Sequence, residues 1–267
     1  MATSLQKHII ATFVGSCIIV ALLIAAFATP QWVLASIKAR TVNDWNNDLN
    51  YGLFSGQITG YRGSVIGGDL KMSCDLGENV CVVSCLTDSD GRTQELNSLL
   101  NNYRGVGCPF AFSNDGACQG ACEGFINAGL WSSSIAFLAI ALLLGVTAGV
   151  FAVVNATTNP VEPILSVKGL YVWNGGGAFS TLLVLVLWGS LFNAYILDNV
   201  GYSETVTGQY ITTSVSLGVS YWLVLVALLL FLVNIAILKL REYQLAREPP
   251  PPTIKMEENT DGIIFLY

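Results

Sequence analysis

Four long apolar runs, separated by polar stretches, dominate the hydrophobic pattern of the chain. They cover residues 9–28, 130–154, 170–192 and 215–238. Each run reaches the roughly 20 residues that a helix needs to cross about 30 Å of hydrocarbon. None of the four contains Asp, Glu, Lys, Arg or His. The pattern therefore predicts four transmembrane helices.

Basic residues are distributed unevenly between these runs. Short loops on the cytoplasmic side of a membrane carry an excess of lysine and arginine. Here such residues precede the first run, separate the second from the third, and follow the fourth: Lys7, Lys168, Lys239, Arg241 and Arg247. The loop of residues 193–214 has no basic residue. We therefore expect residues 1–8, 155–169 and 239–267 in the cytoplasm, and the loops 29–129 and 193–214 outside.

Two features of the sequence bear on this topology. The first run could instead be a cleaved signal peptide, since small residues near positions 26–28 fit a cleavage site. Its apolar stretch is longer than is usual for a signal peptide, which favours a retained span. The second feature is the glycosylation sequon at Asn155, which lies in the cytoplasm on this topology and should stay unmodified.

The large first loop concentrates the cysteines. Six of the seven in the chain lie there, namely Cys74, Cys81, Cys85, Cys108, Cys118 and Cys122. This distribution indicates structural disulfides formed in an oxidising compartment. Two pairs, Cys81 with Cys85 and Cys118 with Cys122, have helix-like spacing, and a bond within either pair would be strained if its segment is helical. We therefore expect bonds between the two pairs and to Cys74 and Cys108. A metal site is disfavoured, because the only histidine, His8, precedes the first span.

The same loop has the sequence features of a partly β structure. Residues 32–37, 51–56 and 79–85 are rich in β-forming residues and predict strands. A polar turn is expected at residues 43–50 and a weak helix at residues 94–103. The predicted fold class is an all-α membrane protein, a four-helix transmembrane bundle with a disulfide-stapled, partly β extracellular loop.

Small and polar residues within the spans predict helix packing. Gly145 and Gly149 have the spacing that permits close helix approach, either within the bundle or in a homo-oligomer. The triplet of residues 175–177 predicts close packing, with a flexible hinge as the alternative. Asn174 and Asn234 predict interhelical hydrogen bonds. Ion-coupled transport is disfavoured, because it usually requires ionisable residues in the spans.

Composition excludes several function classes. Only 11% of the residues are charged, against about 25% in soluble domains. The formal charge of −6, without a basic patch, argues against a nucleic-acid partner. With a single histidine and no Walker, zinc-protease or nucleophile-elbow motif, the sequence predicts neither an enzyme nor a bound cofactor.

The C-terminal tail suits an intracellular partner. Arg241 and Arg247 follow the fourth span, where basic side chains meet anionic membrane lipids. Four prolines and an acidic stretch then lead to an apolar end, Phe265, Leu266 and Tyr267. A terminal carboxylate with apolar side chains at alternate positions is typical of a PDZ ligand. The alternative is a tail that folds back on the membrane surface.

The ordered set of motifs resembles the clarins, tetraspan proteins related in layout to claudins. The motifs are Thr29-Pro30-Gln31-Trp32, Tyr51-Gly52-Leu53-Phe54, Pro163 before Gly169-Leu170-Tyr171, Tyr221-Trp222 and the apolar end. The loop is richer in cysteine than is expected for clarins. It also lacks the Cys-Cys pair of claudins, which argues against claudin-type paracellular sealing.

The clarin resemblance implies a claudin-like fold and a multi-pass plasma-membrane protein of sensory cells, linked to stereocilia, synapses and actin organisation. The hypothesis is a non-enzymatic organiser that joins an extracellular protein partner to a cytoplasmic PDZ scaffold. The alternatives are an auxiliary ion-channel subunit and a cell-adhesion protein.

Overall fold

The computed structural model describes residues 2–40, 46–60, 68–104, 116–118, 122–158, 166–247, 257–258 and 264–265. The helices are α1 (Ala2–Ala28), α2 (Ser89–Leu100), α3 (Ala128–Thr157), α4 (Val167–Leu191), α5 (Ser203–Val206) and α6 (Val219–Arg247). A π-helical turn, Phe192–Ile196, extends α4. The strands are β1 (Val33–Ala39), β2 (Asn46–Tyr51), β3 (Ser55–Thr59), β4 (Gly68–Asp75), β5 (Val80–Ser84), β6 (Tyr103–Arg104), β7 (Gly116–Ala117), β8 (Ile126–Asn127), β9 (Tyr210–Leu217), β10 (Glu257–Glu258) and β11 (Ile264–Phe265).

Helices α1, α3, α4 and α6 form a four-helix bundle. Each is long and apolar enough to cross a membrane, with candidate spans at residues 6–28, 128–157, 167–196 and 219–247. Helix α1 packs against α3 and α6, and α4 packs against the same two helices, so the four close a ring. The outward face of each helix is as apolar as its inward face. On α1, for example, Ile10, Val14 and Ile18 are about half exposed, as a lipid-facing surface requires.

The loops form a sheet large enough to correct the predicted fold class. Seven antiparallel strands follow the order β8-β5-β4-β3-β2-β1-β9. Alternate positions of β1 are buried (Val33, Ala35 and Ile37) and the positions between them face outward, which is the period of a strand with one buried face. The molecule is therefore a helical bundle with a seven-stranded sheet, and the all-α class is wrong.

The second predicted strand, residues 51–56, spans what is a turn in the structure. Strand β2 ends at Tyr51 and β3 begins at Ser55. The predicted polar turn at residues 43–50 contains most of β2 instead. Its asparagines have low intrinsic β-propensity. Pairing with β1 on one side and β3 on the other, together with burial of Leu49 and Tyr51, outweighs that preference.

The first residues predicted for the fourth span also belong to the sheet. Residues 215–217 end strand β9, which pairs with β1, and α6 begins at Val219. Between them, a Cβ on Gly218 would lie 2.1 Å from the backbone oxygen of Gln31. Only glycine fits this close approach, so the chain passes directly from the edge of the sheet into the membrane helix.

The weak helix predicted at residues 94–103 forms as α2 but begins earlier, at Ser89. Asp88 is its N-cap, and the Asp88 carboxylate accepts a hydrogen bond from the backbone N–H of Gly91 at 2.8 Å. A capping aspartate satisfies one of the free N–H groups of the first turn. Leu96 and Leu99 are buried in a cluster with Val82 of β5, so α2 packs against the sheet.

Candidate functional site

The candidate site is the outer face of the seven-stranded sheet, and Trp32 fixes that sheet on the bundle. The Trp32 indole is fully buried and its N–H donates to the backbone oxygen of Ala26 at 2.7 Å. Its ring centroid lies 4.6 Å from that of Trp188 in α4. The N–H of Gly218 donates to the Trp32 carbonyl at 2.9 Å. The residue before β1 therefore joins the ends of α1, α4 and α6.

Tyr51 makes a second connection between the sheet and the bundle. Its hydroxyl donates to the backbone oxygen of Val200 at 3.0 Å, in the segment that follows α4. The side chain is almost fully buried, and this burial raises the pKa of the Tyr51 phenol above its ordinary value. The inner face of β2 is thus held to the end of α4, and the outer face is turned away from the helices.

The outer face carries two rows of small polar side chains that cross the strands. In one row the register places Ser214 of β9, Ser36 of β1, Asp48 of β2 and Thr59 of β3 side by side. The Ser36 hydroxyl donates to the Asp48 carboxylate at 2.7 Å. The second row follows the same strands in the same order: Ser216, Leu34, Asn50 and Gln57.

All the residues of these rows except Thr59 line an open groove of about 480 Å³. Its side chains are hydroxyls, amides and one carboxylate, with Leu34 as an exposed apolar residue between them. Such groups donate and accept hydrogen bonds without carrying a large net charge. Within the described residues no group of three or more His, Cys, Asp or Glu side chains is arranged to hold a metal ion. The arrangement is suited to recognising a polar surface by hydrogen bonds.

Strand β9 forms one edge of this sheet and is long for an edge strand. It has eight residues. Proline and charged side chains usually block further strand pairing at a sheet edge, and β9 contains neither. This strand was not predicted from the sequence, and neither were the groove residues Ser214 and Ser216. The signal was present, because Ser214 and Ser216 alternate with Val215 and Leu217, but the apolar run that follows obscured it.

A disulfide between Cys74 and Cys81 crosses the sheet beside the groove strands. The two residues face each other in the register of β4 and β5, and a pair at facing positions of adjacent strands has the short separation that a disulfide requires. This bond links Cys74 to one of the cysteine pairs, as expected. It fixes the β4–β5 hairpin, on the far side of β3 from the groove.

Cys118 and Cys122 are bonded to each other. The expectation of bonds between the cysteine pairs is therefore wrong here. That expectation assumed helical segments, whereas residues 118 and 122–125 form neither helix nor strand. Cys85 is also disulfide-bonded, and Cys108 lies outside the described residues.

The glycine pair Gly145 and Gly149 of α3 faces α1 of the same chain. A Cβ on Gly145 would lie 3.5 Å from the Ile19 side chain, and a Cβ on Gly149 would lie 3.5 Å from that of Ser16. Both glycines are buried. The close approach is thus within one bundle, and the pair does not form a free surface for a second copy.

A buried polar cluster joins three helices in the half of the bundle next to the chain termini. The Asn234 amide of α6 donates to Asn174 Oδ1 of α4 at 3.0 Å and lies 3.4 Å from the Ser16 hydroxyl of α1. The Asn174 amide donates to the backbone oxygen of Leu170 at 2.8 Å. These are the interhelical hydrogen bonds that the polar residues of the spans predict.

Two further predicted sites belong to segments that the predicted topology places in the cytoplasm. Asn155, in the sequon, is buried and its amide donates to the backbone oxygen of Phe151 at 2.8 Å. In the predicted PDZ ligand, Phe265 belongs to β11, which pairs with β10. Leu266 and Tyr267 lie outside the described residues. The tail would have to leave this short hairpin to enter a PDZ groove as a strand.

Comparison with known proteins finds similarity to two curated relatives. The chain is 31% identical to human clarin-3 over 145 residues, which is 51% of this chain and 61% of that protein. It is 28% identical to mouse clarin-3 over 141 residues, which is 49% of this chain and 59% of the relative. The chain thus spans about three fifths of the length of these relatives. No protein-family model matches it.

Proposed function

The two curated relatives support membership of this chain in the clarin family, and on that premise we propose that it is a non-enzymatic organiser of the plasma membrane. In this proposal the bundle anchors the chain and both termini lie in the cytoplasm. The outer face of the sheet binds a protein partner outside the cell, and the C-terminus binds a PDZ scaffold linked to actin. The clarin resemblance extends the proposal to sensory cells.

One observation carries this proposal: buried contacts attach the inner face of the sheet to the ends of the helices. Trp32 and Tyr51 attach its inner face to the ends of the helices. This leaves the polar rows of β9, β1, β2 and β3 facing away from the bundle. A surface held by buried contacts is pre-organised, so a partner that binds it pays little conformational entropy. The same mounting transmits a force on the sheet to the helices.

The first test adds a glycan to the outer face. The substitution Gln57→Asn creates a glycosylation sequon with Ile58 and Thr59. Gln57 is exposed in the second polar row. Expressed in mammalian cells, the variant should gain an endoglycosidase-sensitive mass, because the proposal places the sheet on the lumenal side. The bulky glycan should also abolish recovery of the outside partner by proximity labelling.

A matched control removes the acceptor and keeps the amide. The double variant Gln57→Asn with Thr59→Ala has no sequon, so it should stay unglycosylated. Thr59 does not line the groove, so this variant should also retain the partner. A glycosylated variant with an unchanged set of labelled partners contradicts recognition through this face. If the Gln57→Asn variant gains no glycan at position 57 and Asn155 is glycosylated, the orientation is opposite to the proposed one.

The second test concerns the tail. A synthetic peptide of residues 258–267 should bind a PDZ domain with micromolar affinity, and a peptide that lacks Tyr267 should not. In cells, removal of residues 265–267 should abolish clustering of the full chain while leaving it at the surface. Clustering that survives this truncation refutes the PDZ part of the proposal without affecting the part that concerns the sheet.

A further inference from the structure

Basic side chains converge between α4 and α6 at the end of the bundle that holds both termini. Lys239 Nζ donates to Glu242 Oε2 at 3.0 Å, and the Tyr171 hydroxyl donates to the same oxygen at 3.3 Å. Lys239 Nζ also lies 5.2 Å from the centre of the Tyr171 ring. These contacts bring α6 against the first turns of α4 and form the centre of the group.

Two more cations surround this centre. Lys168 is in the first turn of α4, three residues before Tyr171, and Arg241 follows Lys239 by two residues in α6. Their charges act on the Tyr171–Glu242 pair. We name Lys168, Lys239 and Arg241 the α4–α6 cationic cluster. Among the described residues, these three cations stand against the one carboxylate of Glu242, which leaves two positive charges in excess.

Arg241 has hydrogen-bonding capacity that the protein leaves unused. Its Nε is buried, and no hydrogen-bond partner for it lies in the described part of the chain. A buried N–H of a charged group without a partner is costly, and it indicates that a further acceptor completes the site. The N-terminus of α4, where Lys168 is in the first turn, adds the partial positive charge of a helix start.

Exposed apolar side chains adjoin Tyr171 and the residues of this cluster in sequence on the two helices. Val172 follows Tyr171 with 68% exposure, and Leu240 separates Lys239 from Arg241 with 49% exposure. A ligand that satisfies both features has an anionic head with several acceptor oxygens and an apolar body. Phosphate suits a group of lysine and arginine donors, and basic pockets between membrane helices bind phospholipid headgroups.

We propose that the α4–α6 cationic cluster binds the phosphate headgroup of an anionic phospholipid, with its acyl chains along Val172 and Leu240. The headgroup oxygens accept hydrogen bonds from Arg241, Lys239 and Lys168. Glu242 releases Lys239 on binding. Their ion pair is open to solvent, with side chains 68% and 63% exposed, so water screens it and a phosphate can compete.

Native mass spectrometry of the full chain in detergent provides the test. The protein is titrated separately with phosphatidylcholine, phosphatidylserine and phosphatidylinositol 4,5-bisphosphate. The two anionic lipids should form adducts at lower concentrations than phosphatidylcholine. Because a basic residue near a lipid surface contributes about 1 kcal/mol, Arg241→Gln and Lys239→Gln should each weaken the anionic adduct about fivefold. The measurement does not depend on orientation in a cell, on the sheet or on the tail.

Two controls separate a site from general charge attraction. Arg247→Gln removes a cation of the same helix that the sequence also places near anionic lipid, so it reports general charge attraction; Arg247 stacks on Tyr243 at 4.4 Å and is outside the cluster. Lys38→Gln removes a cation from the sheet. Both should leave the lipid affinity within about twofold of the unchanged protein, since neither is placed to contact the headgroup. A loss for Arg247→Gln equal to that for Arg241→Gln overturns the proposal, as does equal binding of phosphatidylcholine.

Two further arms complete the design. Soluble inositol trisphosphate and inorganic phosphate are titrated against the lipid adduct. If either binds as tightly as the lipid, the ligand is a free phosphate and the lipid proposal is wrong. Thermal unfolding without lipid shows whether each variant is folded. If Arg241→Gln is unfolded, the exposed Lys239→Gln decides, and unchanged lipid affinity in that variant refutes the cluster.

Discussion

Gly177 of α4 tests whether the glycine triplet of this span serves packing or flexibility. A Cβ added there would lie 2.4 Å from Cε1 and Cζ of Phe231, and 3.0 Å from Cδ1. The Phe231 ring is fully buried between the helices. Carbon atoms cannot approach so closely, so the buried Phe231 ring or helix α6 must shift to accept alanine.

The expected magnitude follows from this overlap. Insertion of a methyl group into a packed interior costs about 1–3 kcal/mol. Gly177→Ala should lower the free energy of unfolding by that amount. Gly175, two residues earlier in the same helix, provides the matched control, because nothing lies within 4 Å of a Cβ built there. Gly175→Ala should be neutral or slightly stabilising, since alanine favours a helix more than glycine does.

Equilibrium unfolding of the purified chain in mixed micelles, followed by tryptophan fluorescence, measures both variants. A third variant, Phe231→Leu, removes the ring that the new methyl group would meet. In combination with Gly177→Ala it should recover part of the loss, with a coupling energy of about 0.5–3 kcal/mol. If Gly177→Ala and Gly175→Ala behave alike, packing is not the reason for these glycines, and the hinge interpretation replaces it.

Three further predictions concern the sheet and the topology. Tyr51→Phe should lower the unfolding free energy by about 1–2 kcal/mol through loss of the bond to the Val200 carbonyl, whereas Tyr103→Phe, at an exposed side chain, should change nothing. The raised pKa of Tyr51 keeps its phenol protonated in the folded state while the unfolded chain ionises near pH 10. Unfolding titrations should therefore show stability falling above about pH 10, and this fall should be smaller in Tyr51→Phe. The double variant Cys74→Ala, Cys81→Ala opens a short loop. Under oxidising conditions its free energy of unfolding in urea should be about 2–3 kcal/mol lower than that of the unchanged protein. In the presence of reductant the two proteins should have the same free energy of unfolding. Asn155 should remain unmodified in mammalian cells; a glycan there, detected by mass, would contradict the proposed orientation.

The bundle was predictable because a bilayer limits the alternatives. A run of apolar residues without charges has no stable conformation in lipid other than a helix, so the four runs identify four helices without any knowledge of their contacts. The hydrogen bond between Asn174 and Asn234 was also predictable, because amides within a span need partners. What the runs could not indicate is where a helix stops. Val215 and Leu217, at the end of the strand that precedes Gly218, are apolar like the helix that follows, so the run gives no boundary between them.

The sheet was predictable only in part, because its strands depend on distant partners. Strand β1 has the alternation that identifies it in isolation, whereas β2 is rich in asparagine and forms because β1 and β3 pair with it. The outer groove combines β1, β2 and β3 with β9, which lies more than 150 residues later in the chain. Local sequence contains no signal for such an assembly, so the candidate site emerged only from the register of the strands.

The segment from β9 to α6 connects the two surfaces on which this protein is proposed to act. Ser214 and Ser216 of β9 line the groove, Gly218 leads directly into α6, and the same helix carries Lys239 and Arg241. Asn234, between these ends, holds α6 to α4 and α1 through its amide. A rotation of α6 about its axis would break the Asn234 bonds in the middle of the helix and would displace β9 from β1 at its beginning. The edge of the sheet can therefore move relative to α6 only with the loss of hydrogen bonds.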